Sequence, residues 1–408
     1  MKRYLWLIAI LLLACESDDV EQTPRILVVL SVDSNNIRQD ERLFYSVKGE
    51  SGEDISFGEL MNSEQLVVTD DSYTGEKIAL TLFRHFLNNN IVIVNSYLDL
   101  SPGESVILDN FVTPRPIPET TGNYKFVNLP SSFDLFLMSS PGIRQEGVGG
   151  QLVDGDVISF PTGEDFPISL FSFFPNQGIP QYQEVRLSPT EETTIDIEQN
   201  INMENTYFIE SSLNNLVDFD IQFTLKANLE GQSTSLIGYS VYNSNRITPN
   251  VNGFNVYSPS LFNSFVATID VRQDDLLYRQ ATIGDMPDRF DFIDTDINVT
   301  NNSFNNFNFS VVNSSEISSI EARWSAFDNG VAISWEVHGK ETLLNDFELE
   351  DIPELISSQI SPLSILSSLE PQDIQVFKNQ DVIYPDDQDI FGFDPVSIPT
   401  SMVKTLQF

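Results

Sequence analysis

Cysteine is nearly missing from this chain. Cys15 is the single one in 408 residues, so no disulfide can staple any part of it and each domain must close on hydrophobic packing alone. Histidine is almost as scarce. His85 and His338 are the only two, far apart and without a zinc spacing such as His-Glu-x-x-His, which argues against a zinc hydrolase. Basic residues number 21 against 60 acidic ones, a formal net charge of -39, and a field of that sign repels nucleic acid and anionic head groups. A nucleic-acid partner is excluded on that ground. The chain also lacks a Gly-x-Ser-x-Gly elbow, a phosphate-binding loop and a dinucleotide fingerprint. Acidic residues are so abundant that no carboxylate pair can be singled out for glycoside hydrolysis. An enzyme is not expected.

What is present begins at the N-terminus. Lys2 and Arg3 precede an apolar run, Tyr4 to Leu13, that is too short for the roughly 20 residues of a membrane-spanning helix and has the shape of a secretory signal. The run ends in Leu12-Leu13-Ala14-Cys15, which resembles a bacterial lipobox. That likeness implies cleavage after residue 14 and a lipidated Cys15 as the mature N-terminus. Glu16, Ser17, Asp18 and Asp19 follow, and they resemble the acidic export tag that sends lipoproteins of the Bacteroidota to the outer face of the outer membrane. A solvated tether over 15–24 is compatible with the same residues. A thiol nucleophile is excluded once Cys15 is acylated.

The body of the chain reads as strands. At 41% hydrophobic and 11% aromatic residues it is no disordered composition, and its length predicts several domains. Arg25 to Val32 is rich in β-branched residues, Lys77 to Phe83 alternates, and Val217 to Phe223 is apolar at every odd position, the period of a strand with one buried face. Gly, Asn, Asp and Pro clusters punctuate these runs at antiparallel-sandwich spacing. The prediction is an all-β protein of two or three antiparallel β-sandwich-like domains in tandem. Their bounds are 25–112, a Pro-rich linker over 113–121, 122–200, and a larger C-terminal β domain over 201–408. The one helix signal is Asp351 to Ile356, with Ile365 to Leu369 as an extension. No repeat of fixed period is visible.

Leu43 to Val47, the turn Gly49 to Gly52, Ile91 to Leu98 with Ser101-Pro102-Gly103-Glu104, and Tyr124 to Phe136 follow one another in a rhythm that resembles uncharacterised multi-domain β-rich surface lipoproteins of the Bacteroidota. The resemblance implies location and fold class, and no activity.

Few side chains offer chemistry. Calcium is the one cofactor with ligands in view. Asp294, Asp296 and Asn298 place oxygens at alternate positions, without the glycine and final glutamate of an EF-hand loop, and Pro385 to Asp389 with Asp394 forms a second acidic cluster. Solvated acidic turns account for the same residues. His85, near a strand end, reads as a surface residue. Asp328-Asn329-Gly330-Val331 signals a two-residue type I′ hairpin, which sets Trp324 opposite Trp335 and Arg323 opposite Glu336. Ala322, Trp324, Ala326, Val331, Ile333, Trp335 and Val337 then share one face, and Arg323, Ser325, Ala332, Ser334, Glu336 and His338 the other. The Trp pair is expected in a core; rings exposed side by side would instead make Trp324 and Trp335 a ligand platform.

Together these readings predict an outer-membrane lipoprotein, anchored by lipid and facing the cell exterior, with a non-catalytic binding, adhesion or scaffolding role toward a glycan or another surface protein. The alternatives are a glycan-binding lipoprotein of a polysaccharide-uptake system and a cell-surface hydrolase.

Overall fold

The computed structural model describes residues 24–108, 120–140, 143–148, 153–161, 169–213, 220–229, 239–244, 252–303, 306–312, 317–339, 344, 352–378 and 400–408. Cys15, the tag Glu16 to Asp19, nearly all of the Pro-rich linker and the Asp386 to Asp394 cluster lie outside these residues. The all-β reading holds, with tandem antiparallel sandwiches along the chain.

One strand plan recurs. The first unit contains β1 (Ile26–Val32), β2 (Glu41–Gly49), β3 (Asp54–Leu60), β4 (Gln65–Thr69), β5 (Ile78–Phe86), β6 (Ile91–Leu100) and β7 (Glu104–Leu108). Its outer layer is β4-β1-β7, with β1 antiparallel to β4 and parallel to β7, and its second layer is ordered β3-β2-β5-β6. The second unit contains β8 (Thr121–Val127), β9 (Leu135–Ser140), β10 (Ile143–Val148), β11 (Val157–Pro161), β12 (Ser169–Phe174), β13 (Gln181–Val185) and β14 (Thr193–Asp196), and a short β15 (Ile201–Asn202) follows. Its layers are β11-β8-β14 and β10-β9-β12-β13-β15. The third contains β16 (Asn205–Ser211), β17 (Asp220–Leu229), β18 (Tyr239–Ser244), β19 (Gly253–Ser258), β20 (Phe262–Gln273), β21 (Leu276–Gly284) and β22 (Arg289–Phe290). Its layers are β19-β16-β22 and β18-β17-β20-β21. In each of the three, the first strand lies between the fourth and the seventh, and the second sheet runs third, second, fifth, sixth. The repeat is in strand order, with no fixed sequence period.

The stretch assigned to one larger C-terminal domain thus contains the third unit and a fourth. This last one has β23 (Ile297–Asn301), β24 (Asn308–Val311), β25 (Ser319–Asp328), β26 (Val331–Gly339), β27 (Glu370–Lys378) and β28 (Thr400–Gln407). Its sheet is β26-β25-β27-β28, and it is capped by the β23–β24 hairpin, a helical turn at Glu354–Ser357 and a 3-10 helix at Ser361–Ser368. The helix expected over 351–356 is a single turn at Glu354–Ser357, its extension is a separate 3-10 helix, and Asp351 lies outside the described residues.

Three of the four units share a sheet. β21 pairs antiparallel with β28, and β26 pairs parallel with β6, giving twelve strands in the order β18-β17-β20-β21-β28-β27-β25-β26-β6-β5-β2-β3. Alternation along the strands then decides which layer covers which face. Ile269 and Val271 on β20 face the third unit's core, while Ile374, Val376, Trp324 and Trp335 face the fourth's. Leu276 pairs with Leu406 across that join, so the third and fourth units cap the same face. On the first unit's strands, Phe44, Phe83, Val92 and Val94 turn toward the fourth unit's core, and Leu43, Tyr45, Leu80, Leu82 and Tyr97 turn the other way, under β4-β1-β7. The cover changes face at the β6–β26 joint.

The second unit packs on the third. Phe171 and Phe173 on β12 enter their own unit's core, whereas Leu137, Leu170, Phe174 and Tyr182 join the third unit's. Every residue of β12 is buried for that reason. A strand covered on both faces loses the apolar and polar alternation of a half-buried one.

Candidate functional site

The residues of β25, β26 and β27 that point away from the fourth unit's core gather several charged side chains on one half-buried face. A two-residue turn at Asn329-Gly330, with φ of 50° and 81°, fixes the register, and Trp324 pairs with Trp335 and Arg323 with Glu336 as the turn chemistry predicts. The opposite face then alternates into view. Glu321 stands across from His338 on one side and Gln375 on the other, and Arg323 stands between Glu336 and Asp373.

These groups are held closely. Arg323 donates from Nε and Nη2 to the two oxygens of Asp373 at 2.8 and 2.7 Å, the planar fork matching a carboxylate. Its Nε also lies 3.5 Å from Glu321 Oε1. Glu321 Oε2 is 3.4 Å from His338 Nδ1, with side-chain exposures of 13% and 9%. On the far side the imidazole stacks on Tyr97 of β6, ring centroids 4.8 Å apart and planes 7° from parallel, and its Nε2 finds no hydrogen-bond partner among the described residues. Farther along the same face, Arg279 holds Asp270 through two hydrogen bonds of 2.7 and 2.9 Å.

Electrostatics follow from the burial. The carboxyl of Glu321 is pushed up to about 7, chiefly because its charged form is desolvated, with Arg323 opposing and Asp373 adding to the rise. Glu336 is likewise pushed up to about 7 by burial and then by Glu321. Burial drives His338 down to about 4, so its imidazole is neutral near pH 7. Glu321 and Glu336 are the two groups here whose protonation changes near neutrality, while His338 stays uncharged.

Other sequence candidates fall elsewhere. Trp324 and Trp335 are 1% and 3% exposed, Trp324 edge-on to Phe307 at 4.9 Å and Trp335 edge-on to Phe83 at 6.2 Å, so they offer no ligand platform. Large rings on the apolar face of a covered sheet have nowhere else to go. Asp294, Asp296 and Asn298 all point outward, with Thr295 buried between the two aspartates. Lys404 is the cation nearby: its Nζ donates to the Thr295 carbonyl and sits 5.1 Å from the Tyr278 ring centroid. Burial lowers its pKa, while Asp296 and Asp294 oppose that shift. Among the described residues no group of three His, Cys, Asp or Glu side chains is arranged to hold a metal ion.

His85 departs from the surface position its sequence context predicts. It is 5% exposed, in register between Arg42 and Val92; nearby, Arg42 donates to Gln359 and Ser361 to Asn90. Desolvation lowers its pKa. The hairpin signal locates Arg323, Glu336 and His338 but not Glu321, Asp373 or Tyr97. Glu321 follows from extending the same register by one pair, whereas Asp373 and Tyr97 come from strands that no local pattern connects to this hairpin.

No family model matches the chain, and no curated protein matches it. Among solved structures, the N-terminal four Ig domains of Dscam1 isoform 4.4 align over 88% of this chain and 95% of that one at 10% identity, with a TM-score of 0.14. At that score the overlay adds nothing to the strand pairing, which alone defines the sandwich units.

Proposed function

We propose that this chain is a lipid-anchored protein of the outer membrane, exposed to the cell exterior, whose role is binding, adhesion or scaffolding without catalysis. The observation that supports it best is the twelve-stranded sheet joining three units by backbone pairing. Ladder hydrogen bonds across both joints hold large surfaces in fixed relation, which suits a protein that presents surface to a partner. Lipid on Cys15 would attach this body to the membrane, and the acidic segment behind it would route it outward. A lipoprotein cysteine carries more than one acyl chain, enough for stable anchoring where a single chain is marginal.

The test uses two variants in cells. Cys15→Ser is expected to abolish acyl labelling and leave a longer, unprocessed chain. Replacing Glu16, Asp18 and Asp19 with alanine is expected to keep the label and protect the protein from protease added to intact cells. Normal labelling of the first variant, or unchanged protease accessibility of the second, would overturn the anchor and the export reading respectively.

Glycan capture is the second reading, favoured by Phe327. This ring is 77% exposed at the end of the polar face, one register step from Ser325 and Ser334, and an exposed ring beside hydroxyls suits sugar stacking. Loss of polysaccharide retention in Phe327→Ala, with an unchanged melting temperature, is its expected signature.

A further inference from the structure

Among the described residues, the half-buried face of the fourth unit holds more carboxylates than guanidinium groups to pair them. Arg323 is committed to Asp373 through two hydrogen bonds, and Arg279 is committed to Asp270. That leaves Glu321, which shares only the flank of Arg323 and faces His338, and the half-buried side chain of Glu336, which makes neither a hydrogen bond nor a close ion pair with another described side chain. A desolvated carboxylate without a partner is costly and is relieved most simply by a proton.

Position turns this surplus into a property of the assembly. His338 and Glu336 are both on β26, the strand that meets β6 of the first unit. Glu336 pairs with Asn95 and His338 with Tyr97 across that joint, and the Tyr97 ring, stacked on His338, belongs to the core beneath β4-β1-β7. The charged and titratable groups at the joint are therefore Glu321 and Arg323 from β25, Glu336 and His338 from β26, Asp373 from β27 and Tyr97 from β6. Arg279 of β21 stands close enough to feel the charge of Arg323.

We propose that the β6–β26 joint is a proton-operated clasp, in which Glu336 and Glu321 take up protons as the pH falls from neutral to mildly acidic and so tighten the attachment of the first unit to the fourth.

The sign follows by linkage. Glu321 and Glu336, both raised, contribute stability that is complete below the ordinary carboxylate range and is lost as pH rises through about 7. His338, lowered to about 4, acts oppositely, because the unfolded imidazole gains a proton below its ordinary value while the folded one does not. Two groups outweigh one. Between pH 7.5 and 5.5 the folded clasp holds more protons than the unfolded chain, by at most about one.

Glu336→Gln mimics the protonated side chain and keeps its shape. In the full-length protein, thermal melts of this variant and of wild type from pH 5 to 8 are read as a difference, which cancels the other carboxylates. The variant is expected to lie nearest to wild type at pH 5, to exceed it increasingly up to about pH 7, by about 2–4 °C per pH unit for each proton no longer exchanged, and to keep a constant lead above that. His338→Gln is expected to steepen the wild-type dependence. Hydrogen exchange locates the effect: the amides of Ile333 to Val337, corrected for intrinsic rate, are expected to open less often at pH 5.5 than at 7.5 in wild type and equally at both in Glu336→Gln. A pH-independent difference between the melts, or a pH effect on exchange confined to strands remote from β6 and β26, would overturn the proposal.

Discussion

The indole N–H of Trp335 donates to the hydroxyl of Ser96 at 3.0 Å, although the two residues are 239 positions apart in the chain. Ser96 is fully buried and also bonds Thr81 at 3.0 Å, so one hydroxyl serves a strand of its own unit and an indole of another. Ser96→Ala removes the acceptor and leaves a buried N–H unsatisfied, a loss of about 1–3 kcal/mol. Trp335→Ala removes the ring as well and is expected to cost about 3–5 kcal/mol. Denaturant unfolding followed by Trp fluorescence checks both. Equal midpoints for wild type and Ser96→Ala would show that the bond contributes nothing to the joint.

Gly253 and Gly330 are expected to respond differently to the same substitution. A methyl at Gly253 would lie 2.2 Å from the carbonyl oxygen of Ile209, with Phe208 also closer than contact allows, because β19 approaches β16 closely there. Backbone cannot yield as a side-chain tip can, and Gly253→Ala is expected to cost about 1–3 kcal/mol or more. Around Gly330 there is open space, but φ is +81°. Gly330→Ala should therefore cost only about 1 kcal/mol, from backbone conformation alone. The ordering of the two melting temperatures decides the matter.

Local signals in the sequence reach as far as one hairpin or one strand face. Asn329-Gly330 fixed the register of Trp324 with Trp335 because the side-chain period is two and the turn admits one alignment. Likewise Ile221 and Phe223 are buried as their alternation requires, while residues 217–219 lie outside the described ones. The joints between units were illegible for a physical reason. Edge pairing of β6 with β26 is made by backbone groups that every residue carries, so side-chain pattern does not encode it. The same holds for His85 and Tyr97, whose surroundings come from remote segments. The polar face was half legible: Arg323, Glu336 and His338 were placed together, but the two partners of His338 were not.

Tyr182 tests how firmly the second unit is joined to the third. Its hydroxyl donates to Glu204 Oε1 at 3.1 Å, and Glu204 Oε2 accepts from the backbone N–H of Ser260 at 3.0 Å, so one carboxylate links β13 to the turn before β20. Burial, then the Glu204 carboxylate, pushes the phenol up to about 12. Tyr182→Phe keeps the ring in the shared core and removes one charge-assisted bond, an expected loss of about 1–2 kcal/mol. Limited proteolysis between the two units is expected to quicken in step. Unchanged cleavage would mean that apolar packing alone holds them.

Lys404 and the Asp294 to Asn298 segment give the last prediction. Burial alternates along that segment, with Asp294, Asp296 and Asn298 exposed and Thr295 buried between the two aspartates. A calcium ion needs six to eight oxygens at about 2.3–2.6 Å, and among the described residues no three His, Cys, Asp or Glu side chains converge to supply them. The cation beside Asp294 and Asp296 is instead the ammonium of Lys404, bound to the Thr295 carbonyl and set against the Tyr278 ring. Millimolar calcium is therefore expected to raise the melting temperature no more than millimolar magnesium does. Lys404→Met keeps the apolar stem but deprives the Thr295 carbonyl of its donor, at an expected cost of about 1–3 kcal/mol. A calcium-specific rise that Asp294→Asn or Asp296→Asn removes would restore these residues as a metal site and show that the loop can close around an ion.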